Sequence, residues 1–205
     1  MRTGSAERIA ATVIAAVAWV GLIVQCLVVY REGRTVLLTL WIVLGFFTIM
    51  TNVLVAVVFS GIAAGFAAAS REGVVGGTML SILLVGVIYA LLLHGSTELS
   101  GGSAVANVLL HMVTPVLVPV FWLCFGRKGG LTWRHPLLWA IYPLVYLVYA
   151  LARGAATGIY PYPFLNVLQI GWERTGLNAI GIALGFLLSG FVVVGLDRLA
   201  ARSAA

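Results

Sequence analysis

Charge is scarce in this chain. Lys and Arg number 12 and Asp and Glu 6, so charged residues fill 9% of its 205 positions. Soluble globular domains carry nearer a quarter, and the deficit excludes an ordinary water-soluble globule. The scarcity is also patterned, because uncharged runs cover 9–30, 35–70, 73–97, 99–126, 135–152, 154–172 and 175–196. With no Asp, Glu, Lys or Arg deep in these runs, ion pumping or a proton relay built on buried charge has no residues to work with. Cysteine is rarer still: Cys26 falls near the outer end of the first helix and Cys124 near the inner end of the fourth, and the two are not expected to form a disulfide. The three histidines are His94, His111 and His135, and His135 is expected to lie far from the other two. A zinc hydrolase, which needs three histidines and a carboxylate converging on one ion, therefore lacks its ligand set. No internal repeat, low-complexity tract or long linker divides the chain, so it reads as a single domain over 1–205.

What the sequence has in abundance is hydrocarbon, at 62% apolar residues and a mean hydropathy of +1.11. About 20 apolar residues cross about 30 Å of bilayer core, so nearly every uncharged run is long enough to span. The exception is 154–172, where GAATGIYPYPF carries two prolines and alternating tyrosines and suits an interfacial loop. The run 35–70 would extend about 54 Å as one helix, so Val36 to Trp41 is taken as a lead-in. The expectation is an all-α polytopic membrane protein with helices at about 9–30, 42–68, 76–94, 104–125, 136–152 and 175–196. The first run, at 22 residues, exceeds a signal-peptide core and is read as a retained helix.

With six spans, one side holds Arg2, Arg8, Arg71, Arg127, Lys128, Arg134, Arg198 and Arg202, and the other Arg31, Arg34, Arg153 and Arg174. The bias places both termini in the cytoplasm. Acids divide evenly, with Glu98 among those opposite, and do not alter that orientation. The net charge of +6 is then a matter of topology and anchoring, and no nucleic-acid partner is implied. Trp133, Trp139, Trp172, Tyr160 and Tyr162 fit an aromatic belt.

Against this background FFTIMTNVLV, residues 46–55, is unusual. Thr48, Thr51 and Asn52 are spaced i, i+3, i+4 and share one face of the second helix. In NVLLHMVTP, Asn107, His111 and Thr114 run i, i+4, i+7 on the fourth. Both helices enter from the outer side, with Thr48 about six residues and His111 about seven inside their starts, roughly 10 Å of rise each. The stripes are therefore expected to meet at one level, with the YPYPF loop above them and Thr114, Tyr160, Tyr162 and Phe164 lining a substrate pocket. Pro115 offers no N–H to the carbonyl of His111, a break of the kind that borders cavities. The chemistry open to this set is attack by a threonine hydroxyl with His111 as general base, needing neither metal nor cofactor. Thr51, Asn52 and Asn107 would support the site or donate to the oxyanion. With no membrane carboxylate, Asn107 or a backbone carbonyl would orient the imidazole, and His94 is the reserve base. A plainer account also exists: threonines bond their own i−4 carbonyls, and Asn and His bridge helices. The same stripe would also serve a non-enzymatic lipid-binding or transport protein.

FFTIMTNVLVAVVF, NVLLHMVTPVLVPVFW and YPYPFL, in this order and spacing, resemble the androgen-induced gene and androgen-dependent TFPI-regulating proteins and their bacterial six-helix relatives. The similarity runs from the second helix to the sixth. It implies a membrane-embedded threonine hydrolase of fatty acid esters of hydroxy fatty acids, or of a related acyl ester lipid, with Thr48 as nucleophile and His111 as base. Two departures stand out: the animal proteins carry a second histidine where Asn107 stands, and an acidic residue where Asn166 follows PFL. The richness in Ala, Gly and Val suggests a bacterial cytoplasmic membrane as its location.

Overall fold

The computed structural model describes residues 4–95 and 99–203, so Arg2 and Glu98 of the charge count lie outside the described residues. No strand occurs among them, and six helices are long and apolar enough to cross a bilayer. The protein is an all-α integral membrane protein. It packs as two compact units, Met1–Gly130 and Leu131–Ala205.

The first unit contains α1 (Ser5–Tyr30), α2 (Val36–Val43), α3 (Phe47–Ala64), α4 (Glu72–Ile88), α5 (Gly101–Val108) and α6 (Thr114–Phe125). α4 runs on into a π-helical turn, Tyr89–Leu93, and a second π turn, Leu109–Val113, joins α5 to α6. α1 packs along α3 and α5, while α4 packs against α6 and α3. Small residues explain the close approach of α1: Ala11, Ala15, Ala18 and Gly21 recur at helical spacing and are buried. At Gly21 an added Cβ would come within 2.6 Å of the Leu110 side chain.

The expected second span, 42–68, is corrected at both ends. α2 stops at Val43, and the N–H groups of Gly45 and Phe46 close tight turns onto Ile42 and Val43. Phe46 is extended (φ −100, ψ 131) and α3 starts only at Phe47. Gly45 is the local cause, because glycine weakens a helix and the run was too long to span as one piece. At the far end Gly65 takes a left-handed conformation (φ 85), and Phe66 N–H reaches back to Gly61 O at 2.8 Å, so the helix ends at Ala64.

The segment 101–125 shows what Pro115 does. Thr114 N–H bonds Leu109 O, one residue further back than in an α-helix. In that register the next donor, for Leu110 O, would be Pro115, which has no N–H. Side chains serve the Leu110 carbonyl instead. Pro115 also presses on α4, where a Cβ at Gly86 would lie 2.7 Å from the Pro115 Cβ. A proline ring cannot swing away, so Gly86→Val is expected to destabilise the detergent-solubilised protein by about 1–3 kcal/mol. Gly185, with nothing within 4 Å, should accept Ala at no cost, and thermal melts of the two variants check the contrast.

In the second unit α7 (His135–Thr157) packs against α8 (Val167–Ser203). α7 extends beyond the expected 152 and ends at Gly158 (φ 72), so the loop expected over 154–172 is shorter. α8 bends at Gly171 (φ 75, ψ 165), which separates a single leading turn from the long helix. Asp197 is fully buried and its Oδ2 accepts the Leu131 N–H at 3.1 Å, which fixes the approach to α7.

Candidate active site

Thr48 stands in the first turn of α3, not six residues inside a longer helix, and is buried. His111 is the middle residue of the π turn between α5 and α6. Their side chains meet: Thr48 Oγ1 and His111 Nε2 are 3.1 Å apart. That is the separation a hydroxyl and its general base require. For Nε2 to accept the hydroxyl proton the neutral ring must carry its hydrogen on Nδ1. Among the described residues the buried Nδ1 has no partner of full hydrogen-bond geometry, and the Asn107 backbone carbonyl, one turn back, is the polar group that bears on the ring.

Asn52 lies one turn from Thr48 and is fully buried. Its Nδ2 donates to Thr48 O at 2.9 Å and to Leu110 O at 3.1 Å, while its Oδ1 accepts from Thr114 Oγ1 at 2.8 Å. Both amide hydrogens are thus committed, and none is left for a developing oxyanion. Asn52 instead ties the first turn of α3 to the carbonyl that Pro115 orphans, and thereby sets the spacing between Thr48 and His111. Thr114 is likewise corrected from a pocket-lining residue: it is fully buried and bonds Asn52 and Leu110 O. Thr51, one turn on from Thr48, is fully buried on the same face.

Asn107 does not hold the imidazole with its side chain. Its Nδ2 donates to Tyr89 Oη at 2.6 Å. Tyr89, at the start of the first π turn, lies against His111 with ring centroids 4.7 Å apart and planes tilted 31°. Sequence reasoning missed Tyr89; the available signal was an aromatic polar side chain five residues before His94 in a span with few polar groups. His94, the reserve base, is exposed and meets Tyr89 edge-on at 5.6 Å. His135 opens α7, and its Nδ1 accepts the N–H of Thr132, just before the helix, at 2.8 Å. Among the described residues no three His, Cys, Asp or Glu side chains gather as metal ligands do. Tyr160, Tyr162 and Phe164 belong to the second unit. There Tyr160 packs on Gly154, where a Cβ would overlap its ring, and Tyr162 is buried and stacks on Phe164 at 5.1 Å.

A hollow lined by Glu7, Ile62, Ser70, Glu72, Phe121 and Trp122 lies at the other end of the first unit. Ile62 is about 21 Å of helical rise from Thr48, so this hollow is not part of the Thr48–His111 site.

Fold and site together define a polytopic α-helical membrane protein with a part-buried hydroxyl–imidazole pair. Comparison of the chain with family models, with curated proteins and with solved structures finds no match.

Proposed function

We propose that the protein is an intramembrane hydrolase of lipid esters, with Thr48 as nucleophile and His111 as base. The observation that carries this reading is the 3.1 Å contact between Thr48 Oγ1 and His111 Nε2 within a bilayer-spanning segment. Thr48 Oγ1 attacks the ester carbonyl as its proton passes to Nε2, forming a tetrahedral adduct. Collapse breaks the bond to the alcohol oxygen, which takes the proton from the imidazolium and leaves. Water, deprotonated by His111, then attacks the acyl-threonine, releasing the fatty acid and restoring Thr48. The start of α3 supports this chemistry, because the positive end of the helix dipole favours negative charge developing at Thr48.

The substrate class is a fatty acid ester of a hydroxy fatty acid or a related acyl ester, taken from the membrane that surrounds the site. Both termini are cytoplasmic in this reading, and the membrane is the bacterial cytoplasmic one. Purified protein in detergent is expected to release free acid from p-nitrophenyl laurate with multiple turnovers, followed by p-nitrophenol absorbance. Stoichiometric uptake of lipid esters without release of acid or alcohol would instead identify a lipid-binding protein.

A further inference from the structure

Serine and threonine hydrolases ordinarily need a third group to hold the imidazole, and the usual carboxylate is missing from this site. The Asn107 side chain, the obvious substitute, points elsewhere, and among the described residues no side chain hydrogen-bonds His111 Nδ1. Among the described residues, polar side-chain contact therefore fixes only one edge of the ring, at Thr48. The face of the ring is covered by Tyr89, at a 4.7 Å centroid separation and 31° tilt. Tyr89 is itself restrained: its hydroxyl takes the hydrogen of Asn107 Nδ2 at 2.6 Å, and its ring meets His94 edge-on at 5.6 Å. Both rings sit on π turns, Tyr89–Leu93 and Leu109–Val113. Such turns displace side chains from ordinary helical register and recur at functional sites.

Building on the hydrolase reading, we propose that Tyr89, pinned by Asn107, is the positioning residue that orients His111 toward Thr48. The ring supplies the surface against which the imidazole lies, and the Asn107 amide fixes where that surface stands. The Asn107 side chain thus acts on the base through Tyr89 and not by a hydrogen bond of its own to the imidazole. A misplacement of about 1 Å at a reacting group typically costs about 10² in rate. The effect should fall on kcat, because Tyr89 adjusts the base and makes no claim on substrate affinity.

The test uses the full chain in detergent with p-nitrophenyl laurate. Tyr89→Leu, which removes ring and hydroxyl, is expected to lower kcat about 100-fold with KM within about threefold of the parent. Tyr89→Phe keeps the ring and loses the pin, and is expected to lose only about tenfold, a partial rescue that simple loss of packing would not give. Asn107→Ala should match Tyr89→Phe, and the double variant should be no worse than either, because the two side chains act as one unit. The proposal is overturned by a parental kcat in Tyr89→Leu, by parental rates in both Tyr89→Phe and Asn107→Ala, or by losses that multiply in the double variant. Should Tyr89→Leu not fold, the Phe and Ala cycle decides alone. His111→Ala in the same assay separates the two levels. If it is inactive while the Tyr89 variants turn over normally, the positioning role fails and the hydrolase reading stands; if it turns over at the parental rate, both fail.

Discussion

Thr48→Ala is expected to abolish ester hydrolysis, with a loss of about 10⁴-fold or more, while the protein remains folded and membrane-inserted. The hydroxyl is small and buried in the first turn of α3, and its bond to His111 bridges to a ring that Tyr89 already covers. His111→Ala should cost a similar factor for a different reason. Without an acceptor at Nε2 the threonine hydroxyl stays protonated, and a neutral alcohol is a weak nucleophile. Because nucleophile and base act as a unit, the double variant should be no slower than either single one. Thr51→Ala should keep measurable activity, since the pair that meets at 3.1 Å does not include Thr51. Initial rates of p-nitrophenol release, with thermal melts as the folding control, check all four variants.

Asn52→Leu is the substitution with the largest expected effect on stability. Leucine keeps the branched heavy-atom skeleton but removes two donors and one acceptor from a fully buried position. Hydrogen bonds between transmembrane helices average only about 0.6 kcal/mol, yet a buried group left unpaired costs about 1–3 kcal/mol. Leu110 O is the exposed weakness, because the proline at 115 denies it a backbone donor and only the 3.2 Å contact from Thr114 Oγ1 remains. A loss of about 2–3 kcal/mol is expected in a detergent melt, together with a fall in activity as α3 and the π turn lose their tie. Thr114→Val should cost less, because the Asn52 amide still serves the Leu110 carbonyl. A melt of Asn52→Leu that coincides with the parent would mean that apolar packing of α1 on α3, and not this network, sets the spacing of Thr48 and His111.

Much of the arrangement was legible in the spacing of residues. Thr48, Thr51 and Asn52 share a face of α3, as helical periodicity dictates, whereas the π turn Leu109–Val113 shifts the register between Asn107 and Thr114. Spacing does not say which polar group serves which. Asn52 and Thr114 look like site residues in sequence, but the structure commits them to a carbonyl orphaned by Pro115, and that orphan exists only because a π turn shifts the register by one residue. Pro115 announces a defect in the helix without revealing how the chain repairs it. The break between α2 and α3 was hidden for a simpler reason: Leu44 to Phe46 are as apolar as the helices on either side, and only Gly45 marks the turn. The pairing of Tyr89 with His111 was not legible because its partner lies on another helix, and contacts between helices leave no periodic trace in either one.

The most direct measurement of the central claim is the site of covalent modification. Purified protein treated with a long-chain fluorophosphonate, digested and mapped by mass spectrometry, is expected to carry the adduct on the peptide containing Thr48. Labelling should disappear in Thr48→Ala and slow sharply in His111→Ala. An adduct on any other residue, or hydrolysis of lipid esters by Thr48→Ala at the parental rate, would contradict the account.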